Sequence, residues 1–172
     1  MKKHSVQLLV FTALLTALIV IATMFVRIPL PLGYVNLGDA FIFLAIFLLG
    51  PLYGTIATGV GSTLADLFGY PLYAPGTLII KSLMAFVACL IYRCLHTATK
   101  KTLLAEIIGG VVGTLIMAFG YFIYEILFFE TVGVAIVNVP WNVLQGVVGV
   151  IVAVLLMRVL RHTKFIDKLR NE

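Results

Sequence analysis

Seven polar side chains stand out in this otherwise apolar sequence, because each can carry charge or form several hydrogen bonds. They comprise three carboxylates, one ammonium and three amides: Asp39, Asp66, Glu125, Lys81, Asn138, Asn142 and Gln145. Each lies near an end of a hydrophobic segment. Ionisable and amide groups inside a bilayer are energetically costly, and they usually face a partner or a cavity. We therefore expect these side chains to meet at one depth and to form a polar pocket.

The spacing of polar residues near the end of the chain predicts one shared helix face. Trp141, Asn142 and Gln145 stand at positions i, i+1 and i+4, and Asn138 precedes Trp141 by three residues. Residues three or four apart are neighbours on a helix surface. An aromatic ring beside amide groups is typical of sites for small, flat ligands that form hydrogen bonds.

A second stripe of the same kind is formed by Tyr121, Tyr124 and Glu125. With the first stripe it predicts a binding site for a small molecule. Another interpretation stays open, since tyrosine and tryptophan also populate the belts at membrane interfaces. In that interpretation, an ion pair between Asp66 and Lys81 serves only the structure.

Composition excludes a water-soluble protein. The 172 residues are 62% hydrophobic and 11% charged, whereas soluble domains are about 45–50% apolar and about 25% charged. Loops rich in lysine and arginine mark the cytoplasmic side of a membrane protein, so the net charge of +5 does not indicate a nucleic-acid partner. Ten of the twelve basic residues fall in three clusters: Lys2 and Lys3; Arg93, Lys100 and Lys101; and Arg158, Arg161, Lys164, Lys168 and Arg170.

The hydrophobic segments predict an all-α integral membrane protein, with residues 1–172 forming a single six-helix transmembrane domain. Six spans put both termini and all three basic clusters in the cytoplasm. The polar residues then lie toward the outside, with Asn36 and Tyr73 as further candidates in the outer loops. A span needs about 20 apolar residues, and Gly50-Pro51 divides one longer stretch because proline disrupts a helix interior. The predicted helices cover about 7–26, 39–49, 52–68, 77–95, 103–129 and 139–157. The last begins near Pro140, since proline is well tolerated at a helix start.

Small residues at helical spacing form a separate pattern. Such faces let helix backbones approach each other closely, either within one chain or between subunits. They occur at Ala13 and Ala17, at Ala57, Gly61 and Ala65, and at Gly109 and Gly113.

The sequence lacks several motifs that are typical of enzymes and ATPases. The sequence has no G-x-x-x-x-G-K-[ST] phosphate loop, no H-E-x-x-H zinc motif and no G-x-S-x-G. The three histidines (His4, His96 and His162) lie at predicted cytoplasmic ends. We therefore predict no catalytic residue, no metal site and no cofactor in this chain.

Four short motifs carry a resemblance to a known family. They are Asn36-Leu-Gly-Asp39-Ala, Leu49-Gly-Pro-Leu-Tyr-Gly54, Gly61-Ser-Thr-Leu-Ala-Asp66 and Tyr70-Pro-x-x-Ala-Pro75-x-Thr-x-x-x-Lys81. With the length and the basic ends, they resemble the substrate-binding S components of energy-coupling factor (ECF) vitamin transporters.

The resemblance implies a six-helix protein in a prokaryotic plasma membrane that captures a vitamin or precursor from outside. It implies docking on a transmembrane coupling subunit driven by two cytoplasmic ATPase subunits, which are the subunits that use ATP. In that family an Ala-x-x-x-Ala surface on the first helix contacts the coupling subunit, and Ala13 and Ala17 match it. The family's longer alanine-and-arginine version is absent here.

The motif set is most similar to members assigned to hydroxymethylpyrimidine or pyridoxine, with riboflavin, pantothenate and thiamin as further possibilities. An alternative function is a stand-alone secondary transporter or channel subunit, in which Asp39, Asp66 and Glu125 relay protons or cations. A small membrane enzyme is disfavoured by the missing catalytic motifs.

Overall fold

The computed structural model describes residues 3–30, 33–128 and 132–163, which form six helices and one short β-ribbon. Four residues of the basic clusters (Lys2, Lys164, Lys168 and Arg170) lie outside the described residues, as do Pro31 and the predicted end of the fifth helix at Phe129. The helices are α1 (Lys3–Phe25), α2 (Gly38–Leu49), α3 (Pro51–Gly69), α4 (Ala74–Thr99), α5 (Thr102–Phe128) and α6 (Val132–His162), and the strands are β1 (Arg27–Leu30) and β2 (Gly33–Asn36).

The surface of the helix bundle is apolar, as expected for a multi-pass membrane protein. Large hydrophobic side chains such as Ile79, Leu115 and Val159 are 58–69% exposed on the outer helix faces. Four of the described helices are long and apolar enough to cross a membrane: α1 over Val6–Phe25, and α4, α5 and α6. Helix α2 is a shorter apolar helix, and α3 has 19 residues.

Helix α2 forms the centre of the bundle. It packs against α1, α3, α4 and α6, and its Phe43, Ala45 and Ile46 are fully buried. Its 12 residues extend for about 18 Å at 1.5 Å per residue. The turn to α3 is made by Gly50, whose φ of +84° is a conformation that glycine adopts without the steric cost of a Cβ.

Two of the three small-residue faces pack inside the chain. A Cβ at Gly61 of α3 would lie 3.0 Å from Ile19 of α1, and one at Gly109 of α5 would lie 2.8 Å from the carbonyl oxygen of Ala88 on α4. In contrast, Ala13 and Ala17 are exposed on the outer face of α1. The close approaches made by α3 and α5 are therefore contacts within the bundle, whereas the α1 face is left open.

Helix α6 begins at Val132, seven residues before the predicted start at 139, and Pro140 lies in its interior. Proline removes one backbone hydrogen bond. Ending the helix there would leave further backbone groups unpaired in a low-dielectric bundle, where each costs several kcal/mol, so the helix continues through the proline. As a result, Asn138 projects from a helix interior instead of a helix end.

The connection between α1 and α2, where Asn36 was expected to lie in an outer loop, contains a β-ribbon. Strands β1 and β2 pair antiparallel, with Arg27 opposite Asn36 and Ile28 opposite Val35. The ribbon places Asn36 directly before α2, at the end of the bundle where α1 finishes.

Basic side chains gather at the opposite end. The guanidinium of Arg93 lies against Gly50, Lys100 and Lys101 are exposed after α4, and Arg161 donates to the buried carboxylate of Glu106. The described bundle thus has one basic end and, at the other end, the polar residues noted in the sequence.

This polarity predicts which end of the bundle faces the cytoplasm. In a Cys94→Ser background, which removes the exposed native thiol and leaves the buried Cys89, we compare Pro75→Cys with Lys100→Cys. Both positions are exposed, at opposite ends of α4. We expect an impermeant maleimide to label Pro75→Cys in intact cells, and Lys100→Cys only after permeabilisation. The reverse pattern would invert the orientation.

Candidate functional site

A cavity opens at the end of the bundle opposite Lys100 and Arg161. It holds about 710 Å³ of empty space, counting the part that is open to solvent at its mouth. All six helices and the end of the ribbon contribute to its wall. The lining residues are Thr23, Asn36, Asp39, Ser62, Asp66, Tyr70, Tyr73, Thr77, Lys81, Tyr121, Glu125, Asn138, Trp141, Asn142 and Gln145.

A buried ion pair joins α2 to α4 in this wall. The ammonium of Lys81 donates to Asp39 Oδ1 and lies 2.8 Å from the sulfur of Met117 on α5. The side chain of Lys81 is 5% exposed and that of Asp39 is 1% exposed. Buried charges need such partners because their desolvation costs several kcal/mol per ion.

The interpretation in which Asp66 forms an ion pair with Lys81 is therefore wrong, since Lys81 pairs with Asp39. Asp66 instead accepts a hydrogen bond of 2.5 Å from the hydroxyl of Thr77, which lies one turn before Lys81 on the same face of α4. Thr77 is also 2.9 Å from the hydroxyl of Tyr121. Thr77, the partner of Asp66, and Lys81, the partner of Asp39, thus lie one turn apart on α4.

Gln145 connects α6 to the ribbon and to α2. Its Nε2 donates to Asp39 Oδ2 at 3.1 Å. Its Oε1 accepts from the backbone N–H of Asn36 at 3.0 Å and from Asn36 Nδ2 at 3.1 Å. The Asn36 side chain in turn accepts from the N–H of Gly38 at 2.8 Å. Because both the oxygen and the nitrogen of the Gln145 amide form hydrogen bonds, this side chain fixes the start of α2 against α6.

The wall between α5 and α6 carries a further carboxylate. Asn138 Nδ2 donates to Glu125 Oε1 at 3.1 Å, and both side chains are buried. One turn further along α6, Asn142 is half-buried and lines the cavity. This wall therefore offers amide and carboxylate groups over one turn of α6.

Aromatic rings surround the mouth. Trp141 is 40% exposed and Tyr70 is 39% exposed, while Tyr73 is half-buried with its ring centre 6.4 Å from that of Tyr121. Such rings present flat apolar faces together with polar hydrogen-bonding edges. The cavity can hold a flat, polar molecule between these aromatic rings and the hydrogen-bonding groups of the wall.

Eleven of the twelve side chains predicted to bind substrate line this cavity: Asn36, Asp39, Asp66, Tyr73, Lys81, Tyr121, Glu125, Asn138, Trp141, Asn142 and Gln145. Tyr124 does not line it. Its hydroxyl donates to the carbonyl oxygen of Leu72 at 2.8 Å, and its ring packs on Gly76, where a Cβ would lie 2.5 Å away. The 100° step between successive helix residues turns Tyr124 away from Glu125 and toward the start of α4.

Four lining residues were missed by sequence reasoning: Thr23, Ser62, Tyr70 and Thr77. Two of them carried a usable signal, because Ser62 precedes Asp66 by four residues and Thr77 precedes Lys81 by four residues, which places each pair on one helix face. Tyr70 also follows Asp66 by four residues but lies just beyond the end of α3, and Thr23 has no candidate residue three or four positions away. Within the residues that the structure describes, no group of three His, Cys, Asp or Glu side chains is arranged to hold a metal ion.

The chain is similar to a family model, to a curated protein and to a solved structure. A family model described as "ECF-type riboflavin transporter, S component" matches residues 3–162. A protein of Pyrococcus woesei, described as "Uncharacterized protein in gap 3'region", is 37% identical over 136 residues, covering 78% of this chain and 88% of that protein. A structure described as "Structure and mechanism of the S component of a bacterial ECF transporter" has a TM-score of 0.69 at 24% identity, covering 92% of this chain and 98% of that one.

Proposed function

The chain belongs to the family of ECF-type riboflavin transporter S components, and from this premise we propose that it captures a water-soluble vitamin in its cavity and delivers it to an importer. The family resemblance inferred from the motifs is thereby confirmed, and the family comprises transporter subunits, not enzymes. The observation that carries the proposal is the cavity itself, in which aromatic rings at the mouth meet carboxylate, amide and ammonium groups at one end of an apolar bundle.

The proposed orientation places the cavity at the outer face of a prokaryotic plasma membrane. The exposed basic residues near Lys100 and the partly exposed Arg161 lie at the opposite end, and basic loops favour the cytoplasm. We further propose that all six helices cross the bilayer, with both termini inside. This proposal adds α2 and α3 to the four described helices that are long and apolar enough to cross a membrane.

For the substrate we propose a small, flat heteroaromatic vitamin. The motif likeness favours hydroxymethylpyrimidine or pyridoxine, and the description of the family model places riboflavin first among the ligands to test. Thiamin, a further heteroaromatic, and pantothenate, which is acyclic, complete the panel of ligands to test. The aromatic mouth and the many hydrogen-bonding groups of the wall support a ring that both stacks and donates or accepts hydrogen bonds.

For partners we propose a transmembrane coupling subunit and two cytoplasmic ATPase subunits, with ATP used by the latter. The open small-residue face of α1 at Ala13 and Ala17 supports a contact with another helix, because small residues let helix backbones approach closely. A subunit of such an importer needs a surface of this kind to contact its partner helix. A stand-alone proton- or cation-coupled carrier does not need such a surface.

The proposal is tested by ligand identification. Mass spectrometry of small molecules that co-purify with the protein, followed by titration of riboflavin, hydroxymethylpyrimidine, pyridoxine, thiamin and pantothenate, should identify one ligand that binds at one molecule per chain. A protein that is folded in detergent and binds none of them would contradict the proposed function.

We expect Trp141→Ala and Asn142→Ala each to weaken that binding by roughly ten- to hundred-fold. The tryptophan offers a stacking surface at the mouth, and the loss of one hydrogen-bond partner of a desolvated ligand costs about 1–3 kcal/mol. Leu144→Ala is the matched control, since Leu144 lies on the same helix and faces outward, 46% exposed. Wild-type affinity in both pocket variants would place the binding site elsewhere.

A further inference from the structure

Ser62 has an unusual position in the cavity wall. It lies on α3, is 3% exposed and lines the cavity. Its hydroxyl oxygen makes no hydrogen bond to any part of the chain that the structure describes. A serine inside a helix commonly donates to the carbonyl oxygen four residues earlier, but Ser62 does not make this bond.

Six other polar side chains of the wall, in contrast, are hydrogen-bonded to one another in pairs. Asp39 and Gln145 bind each other, Thr77 binds Asp66, and Asn138 binds Glu125. Leaving a buried hydroxyl without a partner costs about 1–3 kcal/mol, and such groups in native structures call for an explanation. An occupant of the cavity that hydrogen-bonds to Ser62 provides that explanation.

The backbone around Ser62 holds the residue in place. The neighbouring Gly61 packs so closely on α1 that an added Cβ would lie 3.0 Å from Ile19 and from the carbonyl oxygen of Thr16. One turn further along α3, Asp66 also lines the cavity. The hydroxyl is therefore presented on a helix face that has little freedom to turn away.

We propose that Ser62 hydrogen-bonds directly to the bound ligand and contributes to its selection, an inference that rests on the vitamin-capture function proposed above. The site then recognises its ligand from the α3 side as well as from α6, which carries Trp141 and Asn142. Ser62 selects for a ligand with a hydrogen-bonding group at this wall, and it disfavours an analogue that has only hydrogen or carbon there.

The test uses two hydroxyl deletions on α3. Ser62→Ala removes the hydroxyl in the cavity. Thr58→Val is the matched control, because Thr58 is one turn away, fully buried, likewise without a hydrogen bond to the described residues, and not part of the lining. The probe is riboflavin, or the first other member of the panel that the wild-type protein binds.

We expect Ser62→Ala to weaken binding of the probe by roughly three- to ten-fold and Thr58→Val to leave it unchanged. Unfolding of the ligand-free protein supplies the second readout. Ser62→Ala should be at least as stable as the wild type without ligand, because it removes a buried hydroxyl that has no protein partner, and it should be stabilised less by saturating probe.

The experiments distinguish a failure of this inference from a failure of the proposed function. Wild-type affinity in Ser62→Ala, while Trp141→Ala still weakens binding, would overturn this inference and leave the proposed function intact. Equal loss of stability with and without the probe would also overturn it, because it would give Ser62 a structural role. A folded wild-type protein that binds no member of the panel would overturn the proposed function itself.

Discussion

Lys81→Met is expected to destabilise the protein by about 3–5 kcal/mol, because it removes one member of a buried ion pair and leaves the other charge without its counter-ion. Asp39 is 1% exposed, and Gln145 is a neutral partner that does not offset its charge. The substitution also removes the cation from the cavity wall. Helices α2, α4 and α6 meet at this point, so we expect ligand binding to be lost together with stability.

Equilibrium unfolding in mixed detergent micelles, followed by circular dichroism, measures the effect. The double variant Asp39→Asn/Lys81→Met should recover most of the lost stability, since it leaves no buried charge. Lys100→Met, at an exposed lysine of the basic end, should change stability little. If the single variant is as stable as the wild type, or if the double variant is less stable than the single one, the pair does not contribute as argued.

Ala17→Trp is expected to abolish uptake while leaving ligand binding within about two-fold of the wild-type affinity. Ala13 and Ala17 lie one turn apart on the open face of α1, flanked by the exposed Val10, Leu14 and Ile21. Close helix contacts in membranes depend on small residues, and an indole at this position would keep a partner helix away. The cavity is lined by α1 only at Thr23, which lies six residues after Ala17, near the end of the helix.

Uptake of radiolabelled ligand into cells that contain the coupling module, together with titration of the purified subunit, separates the two effects. Leu115→Trp is the control, since it places the same ring on the exposed outer face of α5, and it should retain uptake. Normal uptake by Ala17→Trp would exclude this face as the docking surface. Loss of binding in parallel with uptake would show that the substitution disturbs the bundle itself.

The resemblance of the motifs and the segregation of polar and basic residues along the chain were sufficient for the family and for the position of the cavity. The basic clusters indicated one end of the bundle, and the polar residues near segment ends indicated the other. This works because a helix advances by a constant rise per residue, so the depth of a side chain can be counted along the chain. Eleven predicted residues line the cavity for this reason.

The rotation of each helix about its axis was decided by tertiary packing. Tyr124 and Glu125 have nearly the same depth, yet only Glu125 lines the cavity, because α5 packs against the start of α4 with the ring of Tyr124 on Gly76. In the same way, the packing of α4 directs Lys81 to Asp39 and Thr77 to Asp66. Periodicity shows which residues share a face, but the contacts with neighbouring helices determine where that face points.

The start of α6 and the absence of a hydrogen-bond partner for the Ser62 hydroxyl among the described residues could be seen only in the three-dimensional structure. Pro140 predicts a helix start by local preference, but in the bundle the helix extends back to Val132, because unpaired backbone groups are more costly there than one missing hydrogen bond. Ser62 is an ordinary helix residue in the sequence. Only the packed bundle shows that its hydroxyl is buried in a cavity wall without a partner among the described residues, because hydrogen-bond satisfaction depends on all the neighbouring groups.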